Sequence, residues 1–370
     1  MKLKDLIESN NTGLDAIKRA PIVEYDTGIR CLRIGDISNN RPFNDWGYTE
    51  VEDNNYKKFQ LRKDDIIVAR TGATIGVNKY IDKDYKSVYN NGLIRIRVKE
   101  ENNPKYVYYL LQSNNYRNFI KTISMGTSTQ PNMQMNDLLN LEVPEFDRDK
   151  QDKIVQLLGN IDKKIELNNE INNNLYEISK QLLLKYLDEN KISDEINISK
   201  FLNIFTGKKN ANETSPTGKY KFFSCAPESL LSDTYLCDSA AIIVAGNGAY
   251  TGRTRFYDGK FELYQRTYGL TLKDGFEKND IYGLYVFMKT IFEPDKMGGT
   301  HGSAIPYIVL SDLTDYKLKY NKVEFDRFSN LVSGNIKMIQ ENEKSNEKLS
   351  ELRDTLLPKL MNGEIDLDNI

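Results

Sequence analysis

The sequence reads IIVARTGATIG over residues 66–76 and IIVAGNGAYTG over residues 242–252. Both copies begin with an apolar, β-branched run, and both keep two glycines in step, at Gly72 and Gly76 and at Gly248 and Gly252. Such a run bounded by glycine is typical of a buried strand. We therefore predict a duplicated domain in which each copy holds a buried strand and then a tight turn whose glycines take positive φ.

The flanking segments keep the same order in both copies. A Thr-Gly pair precedes the strand at residues 12–13 and again at residues 206–207, and each copy ends in a long polar helix. The repeat is too long for a solenoid, whose units have roughly 20 to 50 residues. The predicted boundaries are a first globular domain over residues 1–145, a spacer helix over 146–191, a second globular domain over 192–322 and a C-terminal spacer helix over 323–370.

Each globular part combines short strand patterns with few helices. Residues 92–98 alternate apolar and basic side chains, which predicts a half-exposed strand with Arg95 and Arg97 on one face. Helical spacing follows Pro104 over residues 104–121 and returns over residues 282–292. We predict an α+β fold: two tandem-duplicated domains, each with a curved, largely antiparallel or mixed sheet, separated by two long antiparallel, coiled-coil-like helices.

The two predicted helices carry asparagines where a heptad pattern calls for apolar residues. Antiparallel packing aligns Asn168 and Asn172 with Asn342 and Asn346, and buried asparagine sets helix register. The alternative is that asparagine is simply abundant in this chain. A helix of about 36 residues is about 50 Å long, so such a pair would act as a spacer.

Composition limits the possible functions. The chain has 370 residues, of which 39% are hydrophobic and 28% charged, as in ordinary globular domains. No apolar run approaches the ~20 residues of a membrane span, and the N-terminus has no signal-peptide pattern, so we expect a cytoplasmic protein without a membrane partner. Three cysteines without a CxxC pair and a single histidine argue against zinc sites and histidine-based catalysis.

The charge pattern is more informative than the net charge of −2, which argues against a protein that merely coats nucleic acid. Acidic residues concentrate in the predicted helices, whereas basic residues concentrate in the globular parts. Taken one residue at a time, solvated surface charge explains this equally well. The segregation as a whole favours an anionic partner at the globular parts.

The sequence contains segments that partly resemble motifs of enzymes, but their residues do not have the required spacing. Gly246, Gly248 and Gly252 have the wrong spacing for a dinucleotide site. Asp295, Asp315 and Lys317 weakly resemble a metal-dependent nuclease pattern, which needs clustered carboxylates. We expect no catalytic residue, metal site or bound cofactor in this chain.

Two loops carry small hydroxyl and amide side chains that suit hydrogen bonds to phosphates and base edges. They hold Thr127, Ser128, Thr129 and Gln130 in the first copy, and Thr300, His301 and Ser303 in the second. Plain surface loops have the same composition, and His301 alone is better explained as a loop hydrogen-bonder than as a ligand or base.

The motifs together resemble one family, the type I restriction-modification specificity (S) subunits. The resemblance covers nearly the whole chain. It includes KLKDL at residues 2–6, DIIVARTGATIG at residues 65–76, GTSTQ at residues 126–130 and LLPKLMNGEI at residues 356–365. The last segment is the most specific of the four.

This resemblance implies a noncatalytic subunit with two target-recognition domains, each reading one half of a bipartite, asymmetric DNA target. The helices would set the spacing, about 10 bp centre to centre, and dock two methyltransferase (M) subunits. S-adenosylmethionine, ATP and Mg would belong to partner subunits, and the presence of a restriction (R) subunit stays open. The candidate DNA-contacting residues, besides the seven loop residues named above, are Arg70, Thr71, Thr74, Arg95, Arg97, Asn247, Tyr250, Arg253, Arg255 and Arg266.

Two other classes remain as alternatives. The first is a metal-dependent nuclease that uses Asp295, Asp315 and Lys317. The second is a noncatalytic adaptor whose helices bind protein partners while the duplicated domains bind something other than DNA.

Overall fold

The computed structural model describes residues 1–125, 132–190, 194–291 and 306–366. It divides into two compact units. The first comprises residues 1–164 and 348–370, and the second comprises residues 165–347.

Two four-stranded sheets form the first unit, in the orders β1-β8-β5-β6 and β2-β4-β3-β7. All pairings are antiparallel except the parallel pair β3 and β7. The strands are β1 (Ile7–Thr12), β2 (Ile22–Val23), β3 (Arg30–Leu32), β4 (Gly47–Thr49), β5 (Ile66–Ala69), β6 (Asn78–Tyr80), β7 (Ser87–Tyr89) and β8 (Leu93–Val98). The helices are α1 (Ile34–Ser38), α2 (Asp53–Phe59), α3 (Pro104–Leu110), α4 (Asn114–Met125), α5 (Met135–Leu139) and the long α6 (Arg148–Glu189), which continues into the second unit.

Strand β5 separates two hydrophobic cores in the first unit. Ile66 and Val68 pack into a core with helices α3 and α6, whereas Ile67 and Ala69 pack into a core under the second sheet that is centred on Trp46. Both faces of β5 are therefore buried, as a continuous apolar run predicts.

A six-stranded sheet forms most of the second unit, in the order β10-β15-β13-β14-β11-β12, beside a two-stranded sheet of β16 and β9. The strands are β9 (Glu195–Asn197), β10 (Leu202–Thr206), β11 (Tyr220–Phe223), β12 (Leu230–Ser232), β13 (Cys237–Ala245), β14 (Thr254–Leu263), β15 (Thr267–Leu272) and β16 (Lys317–Lys319). The helices are α7 (Asp280–Ile291), α8 (Leu310–Thr314) and the long α9 (Lys322–Met361), which contributes to both units.

The two units repeat one strand order. The order β1-β8-β5-β6 in the first unit corresponds to β10-β15-β13-β14 in the second, and the parallel pair of β3 with β7 corresponds to that of β11 with β14. In the second unit β14 is a single strand, whereas in the first unit residues 81–86 interrupt its counterpart and split the sheet. The predicted α+β duplicated fold is confirmed.

The long helices pack antiparallel within the second unit. Asn168 Nδ2 donates to Asn346 Oδ1 at 2.8 Å, and Asn342 Nδ2 donates to Asn172 Oδ1 at 2.8 Å. Further along, Asn335 Nδ2 donates to Ser179 Oγ at 3.1 Å. These amide pairs join the positions that the heptad pattern aligns, and Asn168 is buried.

The same two helices also pack together within the first unit, but through charged groups. Arg353 Nη1 lies 3.1 Å from Asp162 Oδ1, and Tyr109 Oη donates to Asp162 Oδ2 at 2.6 Å. Asp162 thereby links α9 to α6 and α6 to α3.

Two local expectations are wrong. Strand β8 is not half-exposed, because Leu93 to Ile96 are all buried. Arg95 pairs with Ile67 across the sheet, on the face that the second sheet covers, and is only 4% exposed. The helix expected over residues 104–121 is two helices, because Ser113 Oγ donates to Leu110 O and accepts from Tyr116 N, ending α3 and capping α4.

Candidate nucleic-acid interface

The turn after β5 is closed by backbone hydrogen bonds. Gly76 N donates to Ala69 O at 2.8 Å, and Ile75 N donates to Gly72 O at 3.2 Å. Gly72 has φ of 82° and Gly76 has φ of 87°, the left-handed region that glycine adopts without strain. The turn thus presents residues 71–75 at the end of the sheet.

The turn after β13 has the same construction. Gly252 N donates to Ala245 O at 2.9 Å, and Thr251 N donates to Gly248 O at 3.1 Å. Gly248 and Gly252 have φ of 85° and 82°. The predicted glycine turns with positive φ are confirmed in both copies.

A later segment of the chain anchors each turn. In the first unit Met133 N donates to Arg70 O at 2.8 Å, and Thr71 forms a β-bridge with Asn132. In the second unit Ile308 N donates to Gly246 O at 2.9 Å, and Asn247 forms a β-bridge with Tyr307. Each turn with its anchoring segment is called here a turn site: residues 70–77 with 132–133, and residues 246–253 with 306–308.

Thr71, Thr74 and the Arg70 side chain lie together in the first turn site. Arg70 Nη2 donates to Asn132 Oδ1 at 3.1 Å, which holds the guanidinium beside the turn. All three side chains are half-buried and keep some contact with solvent.

Arg95 is instead buried, and Arg97 is held by an ion pair. Arg95 Nη1 donates to Lys58 O at 3.2 Å, and burial lowers the pKa of its guanidinium. Arg97 Nε lies 2.7 Å from the buried Asp65 carboxylate, whose hydrogen bond raises the pKa of Arg97. Because Arg95 is buried and Arg97 is bonded to Asp65, both are poorly placed to contact DNA.

Asn247, Tyr250 and Arg253 lie in the second turn site, and the exposed Arg266 is close to it. Asn247 Oδ1 accepts from Cys225 Sγ at 3.1 Å, and Gly246 N donates to Arg266 O at 2.9 Å. The Arg253 guanidinium lies 5.0 Å from the centre of the Tyr250 ring, a cation-π distance.

Arg255 lies next to this site but points inward. Its Nη1 donates to Pro227 O at 3.0 Å, and its Nη2 donates to Ser224 O at 3.1 Å. Burial, with the neighbouring Arg253 as a second cause, lowers the pKa of Arg255 to about 10. The residue therefore stays charged at neutral pH, but its donors are taken by backbone carbonyls.

The remaining candidates lie outside the described residues: Thr127, Ser128, Thr129, Gln130, Thr300, His301 and Ser303. Three residues that the candidate set lacks belong to the turn sites or touch them, namely Asn132, Tyr307 and Cys225. Residues 132–137 and 307–312 correspond to each other in the two repeats: Asp137 accepts a helix-capping bond from Gln134 N, and Asp312 accepts one from Val309 N. Aligning these two segments could have indicated Asn132 and Tyr307. Nothing in the sequence indicates the role of Cys225.

The nuclease alternative gains no support from the described residues. Lys317 pairs with Glu195 at 4.0 Å, Asp315 accepts from Thr314 Oγ1 at 3.0 Å, and Asp295 lies outside the described part. Among the residues described, no group of three or more His, Cys, Asp or Glu side chains is arranged to hold a metal ion. Within the same ranges, no helix has the length and apolar character needed to cross a membrane.

The structure contains two α+β domains of the same topology, and parts of both long helices contribute to each. It therefore belongs to the class of proteins with a duplicated domain, in which each copy presents an equivalent turn site. Residues 1–177 match the family model described as the type I restriction modification DNA specificity domain. The chain is thus similar to the type I restriction-modification specificity subunits, the family that its sequence resembles.

Two relatives and one solved structure illustrate the extent of the match. The type I restriction enzyme EcoDI specificity subunit of Escherichia coli is 32% identical over 123 residues, covering 32% of this chain and 26% of the relative. The MjaIX specificity subunit of Methanocaldococcus jannaschii is 21% identical over 323 residues, covering 76% of this chain and 73% of the relative. The crystal structure of the type I S subunit from M. genitalium is 19% identical, covers 98% of this chain and 95% of that chain, and shares the fold with a TM-score of 0.58.

Proposed function

We propose that this chain is the noncatalytic DNA-specificity subunit of a type I restriction-modification complex. Each globular domain reads one half of a bipartite, asymmetric target, and each turn site contributes base or phosphate contacts. The observation that carries the proposal is the pair of turn sites, which share one hydrogen-bonded backbone but carry different side chains. A backbone frame that both repeats share, with different side chains on it, suits two readers of unlike sequences.

The side chains of the turn sites fit different base edges. Arg70 offers the paired donors that favour guanine, whereas Asn247 offers the amide that favours adenine. A well-made bidentate contact of either kind discriminates by about 1 to 3 kcal/mol. Of the remaining candidates, Thr71, Thr74, Tyr250 and Arg266 keep exposed surface, and the loop residues of the two copies stay predictions.

The long helices are proposed to set the half-site spacing and to dock the methyltransferase subunits. In the second unit they expose large apolar side chains, which mark protein-binding surfaces. These residues are Leu167, Ile178, Leu184, Leu331 and Met338. S-adenosylmethionine, ATP and Mg would be held by partner subunits, two of them methyltransferases, and the complex would act on double-stranded DNA in the cytoplasm.

The proposal is tested by methylation mapping in cells. Single-molecule mapping of DNA from cells that express this chain with a methyltransferase subunit of its own system is compared with DNA from cells lacking the chain. A split motif with two unlike halves that disappears without this chain is the expected result. An unchanged methylation pattern, with an active methyltransferase present, would favour the adaptor alternative.

The spacer role has its own test. One extra heptad is inserted in each long helix, after Lys164 and before Lys348, so that the antiparallel pairing is kept. Seven residues add about 10 Å of helix, equal to about 3 bp of DNA. The gap between the half-sites should lengthen while both halves stay the same, and an unchanged gap in an active complex would disprove the spacer role.

A further inference from the structure

A cleft of about 510 Å³ lies in the second unit between strand β14 and helices α7 and α9. Its lining is rich in cations, because Arg253, Arg255 and Lys289 all face it. Glu343 and Glu347 on α9 line the same cleft; Glu347 is paired with Lys221, and Glu343 is exposed to solvent. The cleft is continuous with the second turn site through Arg253.

Arg255 brings a positive charge that its own contacts do not neutralise. Its guanidinium donates to the carbonyls of Ser224, Ala226 and Pro227, and it lies 5.4 Å from the centre of the Phe223 ring. Carbonyl groups and aromatic rings carry no net charge, so these contacts leave the full positive charge of Arg255 in place. They also fix the guanidinium plane and leave it few donors for a base edge.

Arg253 lies beside Arg255 and has unused hydrogen-bonding capacity. Its Nη1 is buried without an acceptor among the described residues, and the Tyr250 ring supports the guanidinium. Neither arginine forms an ion pair with a described carboxylate; the nearby ion pairs join Lys221 to Glu347 and Lys260 to Asp238. Two like charges held close together, neither in a direct ion pair, favour binding of an anion.

The first unit lacks this arrangement. Val77 and Lys79 occupy the positions that correspond to Arg253 and Arg255, and Lys79 Nζ donates to Asn40 Oδ1 at 3.4 Å. The paired arginines are therefore a property of the second repeat alone, and they are not needed to build the shared strand and turn.

We propose that Arg253 and Arg255 form a phosphate site that holds one backbone phosphodiester of the DNA next to the half-site read by the second domain. This inference rests on the proposed function and deepens it. Arg253 donates the hydrogen bonds and Arg255 adds charge, so the pair fixes the position of the DNA without reading sequence. The aromatic supports hold both guanidinium groups in place before binding.

The test measures target-DNA affinity of the assembled complex, with its methyltransferase subunits, over a range of salt concentrations. Arg253→Gln should weaken binding about 10-fold, reduce the slope of log affinity against log salt by about 1, and leave the methylated motif unchanged. Glu343→Gln should strengthen binding, because it removes a negative charge from the cleft. A purely structural role for these residues would weaken binding in both variants.

Lys260→Gln is the matched control, since it removes one positive charge from the same strand outside the cleft. The Lys260→Gln complex should keep the wild-type slope of log affinity against log salt. The phosphate site would be disproved by a changed motif in Arg253→Gln, which marks a base contact, or by an unchanged slope. A second outcome would also disprove it as a DNA site. In that case inorganic phosphate would stabilise the folded wild-type protein but not Arg253→Gln, while the two complexes bound DNA equally well. Failure of the wild-type complex to bind any specific DNA would instead refute the proposed function, and this inference with it.

Discussion

The two repeats share a sheet order but differ in how the sheet continues. In the second unit β14 runs unbroken from Thr254 to Leu263 and pairs on both sides, giving one six-stranded sheet. In the first unit the equivalent path is broken between β6 and β7, and a second four-stranded sheet carries its own core around Trp46. Both units nevertheless build the same turn site. The backbone of the turn site therefore depends on the four strands that the units share and not on the strands beyond them, which differ.

The shared frame includes a close backbone approach at the Thr-Gly pairs. A Cβ on Gly13 would lie 2.2 Å from Tyr89 O, and a Cβ on Gly207 would lie 2.1 Å from Leu263 O. Gly13→Ala and Gly207→Ala should each cost about 3 kcal/mol or more in the free energy of unfolding, because a carbonyl cannot yield as a flexible side chain does. Thermal unfolding of both variants measures this.

Gly28→Ala is the control, because its position has open space and only the positive φ penalises it. It should lose about 1 kcal/mol. If Gly13→Ala and Gly207→Ala differed strongly from one another, the two copies would not pack alike at this point.

The core under the second sheet of the first unit gives the next largest effect. Trp46 is 1% exposed, lies 5.3 Å from the Phe43 ring and 5.5 Å from the Tyr85 ring, and donates from Nε1 to Arg41 O at 3.1 Å. Trp46→Ala should cost about 3 to 5 kcal/mol. Hydrogen exchange should locate the loss in the first unit, and equal loss of protection in β13 and β14 would contradict independent cores.

The helix pairs differ between the units in their chemistry. The buried Asn168 forms an amide pair with the half-buried Asn346 in the second unit, whereas Asp162 and Arg353 form an ion pair in the first. Asn168→Ala should cost about 1 to 3 kcal/mol, because the Asn346 amide loses a partner. The cost should be the same at low and high salt when measured by denaturant unfolding.

Arg353→Met serves as the comparison, since it leaves Asp162 with Tyr109 alone. Its cost should shrink as salt rises, because salt screens a partly exposed ion pair. If the cost of Asn168→Ala shrank in the same way, the assigned difference between the two helix contacts would be wrong.

The smallest effect concerns Asp280, a buried carboxyl of the second unit. Burial, followed by the neighbouring Asp326, raises the pKa of Asp280 to about 6. A folded-state pKa above the ordinary value of 3.8 means that stability falls as pH rises from about 4 to 6, and the loss persists above pH 6. Asp280→Asn should therefore raise the melting temperature by a few degrees at pH 8.

The gain from Asp280→Asn should shrink strongly toward pH 4, where the folded-state carboxyl is protonated and the unfolded-state carboxyl is only partly ionised. Asn can keep the bond that Glu277 N donates to Asp280 Oδ2 at 3.1 Å. Melting curves from pH 4 to pH 8 give the profile, and a gain that did not depend on pH would rule out the carboxyl charge as its cause.

The sequence predicts the parts of the fold that local patterns control. Glycines in step fix the two turns, and the β-branched runs fix the strands before them, because positive φ and burial leave few other residue choices. Arg95 shows where this reasoning ends. The alternating pattern around Arg95 implies an exposed face, but the second sheet of the same unit covers that face. The spacing of apolar residues along one strand cannot indicate that another sheet packs on it.

The candidate site was predictable to a similar degree. Arg70, Thr71, Asn247 and Tyr250 follow from the repeated turn, since they vary inside a fixed frame. Arg255 does not, because the carbonyls that hold it come from residues 224–227, far from it in sequence. Charge alone cannot separate an arginine that is free to contact DNA from one that is already bonded.

The most direct test of the central claim, that the two turn sites read different halves of one target, is methylation mapping of two variants. Thr71→Ala and Asn247→Ala are each expressed with the methyltransferase subunits and compared with wild type by single-molecule sequencing. Each variant should change or relax one half of the motif, a different half in each case, while the other half and the gap stay fixed. If both variants altered the same half, or neither altered any position in an active complex, the two turn sites would not be separate readers.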